Sequence, residues 1–150
     1  MCFKNYLRKI LCKPVSLPKP NNLESIDVSE INTIIKAAYP DVKLFLTDTD
    51  YKTTSKEELQ RFLAYDITDT YPYVSQYYDC DDFSFSLMGG LSNPEWGSLS
   101  FGILWVIINN TAAHALNIFI DKDREIWMVE PQTDIISEIP STYKPYLIMI

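Results

Sequence analysis

Apolar residues in the first third of the chain recur at helical spacing. Val28, Ile31, Ile34, Ile35 and Ala38 fall on one face of a helix. Asp27 stands at its N-cap position and Glu30 follows three residues later, the spacing of a capping box. Tyr39-Pro40 ends the helix, because a residue before proline is pushed out of helical backbone. Lys43 to Leu46 reads as a short strand and Asp48-Thr49-Asp50 as a turn. A second helix begins at Ser55, with Glu58 three residues on, and buries Leu59, Phe62 and Leu63. Thr68 to Tyr78 is a polar, tyrosine-rich loop containing Pro72. A third, short helix starts at Cys80, with Asp81 and Asp82 in its first turn, and Gly89-Gly90 stops it.

Beyond Ser98 the pattern changes. Phe101 to Ile108 is continuous, apolar and β-branched, which predicts a buried strand. Ala113 to Ile120 and Glu125 to Val129 flank Asp121-Lys122-Asp123-Arg124, and that is hairpin chemistry. Ile135-Ile136 and Tyr146 to Ile150 add short edge strands. Helices followed by strands predict an α+β domain, with N-terminal helices packed on a C-terminal antiparallel sheet.

The length of 150 residues suits one domain. Ten tyrosines, seven phenylalanines and three tryptophans, in a chain that is 47% hydrophobic, exclude intrinsic disorder. No apolar run approaches the ~20 residues of a membrane span. A net charge of −7 argues against a nucleic-acid binder. The charge is uneven. Lys4, Arg8, Lys9, Lys13 and Lys19 occupy the first twenty residues with no acid among them, leaving eight bases and twenty acids for the remainder. Pro14, Pro18 and Pro20 favour an extended arm there. The reading is therefore a basic leader over residues 1–22, able to dock on an acidic partner, and a single domain over 23–150. The leader lacks the uninterrupted apolar stretch and small-residue cleavage site of a secretory signal, which leaves a cytoplasmic or virion-associated location open. Asn109-Asn110-Thr111 fits a glycosylation sequon, relevant only in a secreted chain.

Three cysteines without regular spacing make no disulfide framework and no zinc site. Cys80 stands apart, because a helix N-terminus stabilises a thiolate. The one histidine, His114, lies on a strand with Leu116, Ile118 and Ile120 on the same side. Paired residues in a hairpin have a constant index sum. A sum of 244 sets His114 opposite Glu130, and a sum of 246 sets it opposite Gln132. Either would orient the imidazole. A helix-borne thiol and a sheet-borne histidine with an orienting partner is the arrangement of papain-like cysteine proteases. Asp79, Asp81 and Asp82 oppose thiolate formation. A bound cation would relieve that conflict, and carboxylates, Glu130 and the Gln132 amide oxygen are hard donors suited to Ca²⁺ or Mn²⁺.

Tyr78-Asp79-Cys80-Asp81-Asp82-Phe83, Gly102-Ile103-Leu104-Trp105, His114-Ala115-Leu116-Asn117 and Trp127-Met128-Val129-Glu130-Pro131-Gln132-Thr133 resemble one family over roughly residues 60–135. It is the papain-like cysteine protease domain at the C-terminus of the Marasmius oreades agglutinin, with stand-alone relatives in bacteria and phages. The resemblance implies a calcium- or manganese-dependent hydrolase acting on a peptide or amide bond through a thioester acyl-enzyme. Cys80 would be its nucleophile, His114 its general base, Glu130 its orienting acid, and Asp81, Asp82 and Gln132 its metal donors. Gln76, four residues before Cys80, would be the oxyanion donor, with Tyr77 or Tyr78 as substitutes. Two other expectations stand beside hydrolysis. One is transglutaminase- or amidase-type acyl transfer at the same residues. The other is a non-catalytic binding or structural role, including that of a phage virion protein.

Overall fold

The computed structural model describes residues 17–150; the basic leader up to residue 16 lies outside the described residues. Strand β1 (Glu24–Asp27) runs directly into helix α1 (Val28–Ala38). Strands β2 (Lys43–Phe45) and β3 (Asp50–Thr53) lead to helix α2 (Lys56–Leu63), a short 3₁₀ turn at Thr68–Thr70, and helix α3 (Cys80–Leu91). Five strands complete the chain: β4 (Phe101–Ile108), β5 (Ala112–Ile120), β6 (Ile126–Glu130), β7 (Ile135–Ser137) and β8 (Tyr143–Met149).

The principal sheet has the order β2-β8-β4-β5-β6-β7, and β1 pairs with β3 in a separate antiparallel ribbon. The expectation of N-terminal helices on a C-terminal antiparallel sheet is corrected on two counts. First, β2 joins the sheet parallel to β8, with Leu44 opposite Ile148, so the sheet is mixed and β-rich and begins before α2. Second, helices cover both faces. Leu104, Val106, Leu116, Ile118 and Ile148 pack with Ile31 and Ile35 of α1. Phe101, Phe119 and Val129 pack with Leu59, Phe62 and Leu63 of α2 and Leu87 and Leu91 of α3. A strand buried on both sides loses its polar alternation, which is why β4 is apolar throughout.

Local signals explain where the elements start. Asp27 Oδ1 accepts from the Ser29 and Glu30 amides at 2.7 and 3.0 Å, capping α1. Glu30 does not close the box expected of it. Its carboxylate takes the Arg124 Nε–H at 2.5 Å, tying α1 to the β5–β6 turn. Likewise Ser55 caps α2 through the Glu58 amide, while the Glu58 carboxylate accepts from Arg61 and from the Asn21 amide. Helix α3 runs through Gly89-Gly90 instead of stopping there. Gly90 lies against α2, where a Cβ would stand 3.1 Å from Asp66 Oδ2 and 3.6 Å from Phe62. Buried Leu91 anchors the next turn, so packing overrides the low helix propensity of glycine.

Candidate functional site

The expected site residues come from three places: the first turn of α3, the start of β5 and the end of β6. Hairpin pairing follows an index sum of 246, with Asn117 opposite Val129 and Ile120 opposite Ile126. That register sets Gln132 across from His114, yet the imidazole reaches diagonally: His114 Nε2 lies 3.0 Å from Glu130 Oε2. The pair is half-open, with side chains 19% and 22% exposed. Gln132 turns its backbone amide to the other Glu130 oxygen at 3.3 Å. Glu130 thus binds the ring through one oxygen and the following turn through the other.

Asn117 holds α3 to this hairpin. Its Nδ2 donates to the Ser84 carbonyl of α3 and the Gly102 carbonyl of β4, both at 3.0 Å, and the residue is fully buried. Alternation along β5 puts Asn117 on the α3 face with Phe119, while His114 is in step with Leu116. No hydrogen bond among the described residues joins the Cys80 thiol to His114. Within α3 the Cys80 carbonyl accepts from Ser84 Oγ at 2.8 Å.

The acids around Cys80 divide their work. Asp82 accepts the Asp79 amide at 3.0 Å and so caps α3. Asp79 and Asp81 share a hydrogen bond, which holds the Asp79 carboxyl below its ordinary range and pushes that of Asp81 above it. Ligating atoms of Asp79, Cys80 and Asp81 all lie within 4.8 Å of one another; Asp82 is not a member of that group. Gln76 sits in the loop just before the helix with a positive φ of 68°. Its amide donates to Asp79 Oδ2 at 3.2 Å, and its own residue is exposed.

What residue-by-residue reading missed is the aromatic rim. The loop before α3 closes on itself through Val74 and Tyr78, whose backbones exchange hydrogen bonds at 2.9 and 2.7 Å. The closure leaves Tyr71, Tyr73 and Val74 exposed and Tyr77 84% exposed. Tyr78 anchors the loop: its hydroxyl donates to Ser86 Oγ at 2.7 Å, and its ring stacks on Phe83 at 4.6 Å and meets Tyr71 edge-on at 5.6 Å. Exposed Phe85 meets Trp105 at 6.2 Å. Five tyrosines between residues 65 and 78 were the available signal.

Comparison with known proteins gives a family. The model of the ricin-type β-trefoil lectin C-terminal domain matches residues 26–150. Among solved structures, the PSL1a–E64 complex is similar at a TM-score of 0.73 and 23% identity, over 84% of this chain and 51% of that one. The Polyporus squamosus lectin bound to a human-type influenza-binding epitope, Neu5Acα2-6Galβ1-4GlcNAc, is similar at 0.71 and 22%, over 84% and 49%. The chain spans about half the length of these solved lectins. A search of curated protein sequences gives no match.

These findings correct the expectations of family and function. The matched family is a lectin C-terminal domain, which replaces the papain-like cysteine protease family and its fold class. With it the assignments as hydrolase, thiol protease, enzyme and phage-type protein are withdrawn, as is a peptide substrate. Among the described residues no helix is long and apolar enough to cross a membrane.

Proposed function

The chain belongs to the ricin-type β-trefoil lectin C-terminal domain family, and from that premise we propose that it is a glycan-binding domain whose ligand face is the aromatic rim of α3. The observation that carries this reading is the exposure of Tyr71, Tyr73 and Tyr77 on the loop that leads directly into the Asp79–Asp81 carboxylates. Tyrosine offers an apolar ring face and a polar tip, the combination that suits the C–H face and hydroxyls of a pyranose. Carboxylates accept hydrogen bonds from those hydroxyls. An exposed aromatic cluster on a chain with a well-filled core marks an interaction surface. The Polyporus squamosus lectin's epitope supplies a first probe. Amide shifts over residues 71–85 on titration of the full chain with Neu5Acα2-6Galβ1-4GlcNAc are expected to be lost in Tyr73→Ala/Tyr77→Ala. Shifts over residues 71–85 that the double substitution leaves intact would overturn the reading, as would no shift there with any glycan.

A second role for the same face has its own observation, the E64 complex of the structurally similar PSL1a. Cys80 occupies the first turn of α3, beside Asp79 and Asp81. His114, held by Glu130, would serve as base on coming within hydrogen-bond reach of the thiol. In this role Cys80 is a nucleophile, His114 its proton acceptor, Glu130 the orienting carboxylate and Gln76 a donor from the preceding loop. Asp81, Asp82 and Gln132 would hold Ca²⁺ or Mn²⁺, with Asp79 beside Asp81, and the ion would offset the negative charge of the acids. Intact-mass analysis after incubation with E64 is expected to show one adduct that disappears in Cys80→Ala and weakens in His114→Ala. An unmodified wild-type protein would remove this role and leave the glycan reading standing.

A further inference from the structure

A cleft of about 560 Å³ opens where the β4–β5 turn and the segment before β8 meet the C-terminal end of α1. That volume falls in the range of small-ligand sites, ~300–1,000 Å³. Its lining includes Tyr39, Asp41, Asn109, Asn110, Thr142 and Tyr143, and none of the α3-face residues. We infer that this cleft is a second ligand site, for a neutral saccharide of about disaccharide size.

The walls are fixed by the backbone. Asn109 and Asn110 have φ of 49° and 57°, and the Thr111 amide donates to the Ile108 carbonyl at 2.9 Å, which makes this a type I′ turn. The turn is tied across the cleft by the Asn109 amide, which donates to the Thr142 carbonyl at 3.0 Å. Tyr143 N–H donates to the Pro140 carbonyl at 2.9 Å, closing the third side. On the fourth, Lys36 Nζ donates to the Pro40 and Val42 carbonyls at 3.3 and 2.5 Å, bracing the end of α1. A site whose walls are held in advance loses little freedom on binding.

The lining chemistry selects the ligand. Two half-buried tyrosine rings provide the apolar component, and burial keeps the Tyr39 hydroxyl protonated and able to donate. The side-chain amides of Asn109 and Asn110 are exposed and engaged in no hydrogen bond among the described residues. Each offers both a donor and an acceptor, which matches vicinal hydroxyls. Asp41 and Lys144 balance each other at the rim, and Lys36 is committed to carbonyls. The cleft therefore has no surplus charge with which to hold an anion or a cation.

The inference shares its ligand class with the proposed function, but its residues are separate, so the two can fail independently. The test is an amide-shift titration of the full chain with Galβ1-4GlcNAc, repeated on Asn109→Gly/Asn110→Gly and on Tyr77→Ala. Glycine tolerates both positive φ values and deletes only the amides. Saturable shifts around Asn109, Asn110 and Tyr143 are expected. The double glycine variant should bind at the cleft about tenfold more weakly, and Tyr77→Ala should alter only the shifts of residues 71–85. No saturable shift at the cleft, or shifts indifferent to the glycine pair, would overturn the inference. Shifts confined to residues 71–85 would do so while supporting the α3 face.

Discussion

Two acidic corners of this molecule use the same side chain for opposite ends. At the β5–β6 turn Asp121 is buried, and each of its oxygens is occupied. Oδ1 accepts the Asp123 and Glu125 amides at 2.9 and 3.0 Å, and Oδ2 accepts the Trp127 indole at 2.8 Å. At the start of α3, Asp79 and Asp81 hydrogen-bond each other just after the exposed tyrosines of the preceding loop, which lowers the Asp79 carboxyl and raises that of Asp81. A saturated carboxylate is part of the scaffold. Two acids held against each other favour a partner that relieves their repulsion, and that contrast supports the proposed binding face better than acidity alone.

The contrast can be broken at the scaffold corner first. Asp121→Ala removes three part-buried hydrogen bonds to a charged acceptor and should cost about 3 kcal/mol, read by urea denaturation. Next, Asn117→Ala removes the two hydrogen bonds by which its buried amide ties the Ser84 carbonyl of α3 to the Gly102 carbonyl of β4; about 2 kcal/mol is expected. A smaller effect of opposite sign comes from Gly89, around which a Cβ would meet nothing within 4 Å. Gly89→Ala should stabilise by about 0.5–1 kcal/mol through helix propensity, whereas Gly90→Ala, facing Asp66 and Phe62, should not. The smallest effect belongs to the open corner: Asp81→Asn should leave the melting temperature near that of wild type in metal-free buffer. It should also abolish any shift that Ca²⁺ or Mn²⁺ produces in the wild-type melting curve.

A pH experiment sharpens the same distinction. Asp27, held below the usual carboxylate range chiefly by the Ser29 side-chain hydrogen bond and also by the Glu30 amide, has a lower folded than unfolded pKa. Its contribution is complete above the unfolded value and is lost as pH falls through the folded one. Asp81, raised by Asp79, works the other way: its contribution is complete at low pH and is lost as pH rises through its elevated value. Melting temperature followed through the acidic range should therefore lose an acid-side decline in Asp27→Asn and lose an opposing component in Asp81→Asn.

How much of this was legible in the sequence varied with the range of the interaction. Helix α1, the start of α2 and the β5–β6 hairpin follow from local spacing and caps. The full length of α3 did not, because Gly90 is there for its contact with α2. The parallel entry of β2 was also hidden, since its partner lies about a hundred residues away at Leu147–Met149 and local patterning carries no trace of such a pairing. The index-sum argument narrowed the partner of His114 to Glu130 or Gln132. Pairing follows the sum that favours Gln132, yet it is the Glu130 carboxylate that meets the imidazole, across the diagonal. Function was least legible. Cys80, His114 and Glu130 suggested hydrolytic chemistry, while the tyrosines just before Cys80 passed as a loop.

The most direct test of the account is an amide-shift map of the full chain titrated with Neu5Acα2-6Galβ1-4GlcNAc. The account predicts saturable shifts centred on Tyr71 to Phe85, lost in Tyr73→Ala/Tyr77→Ala while the fold is retained. A spectrum that stays unperturbed at saturating glycan, or one in which Tyr71 to Phe85 stay silent, would contradict it.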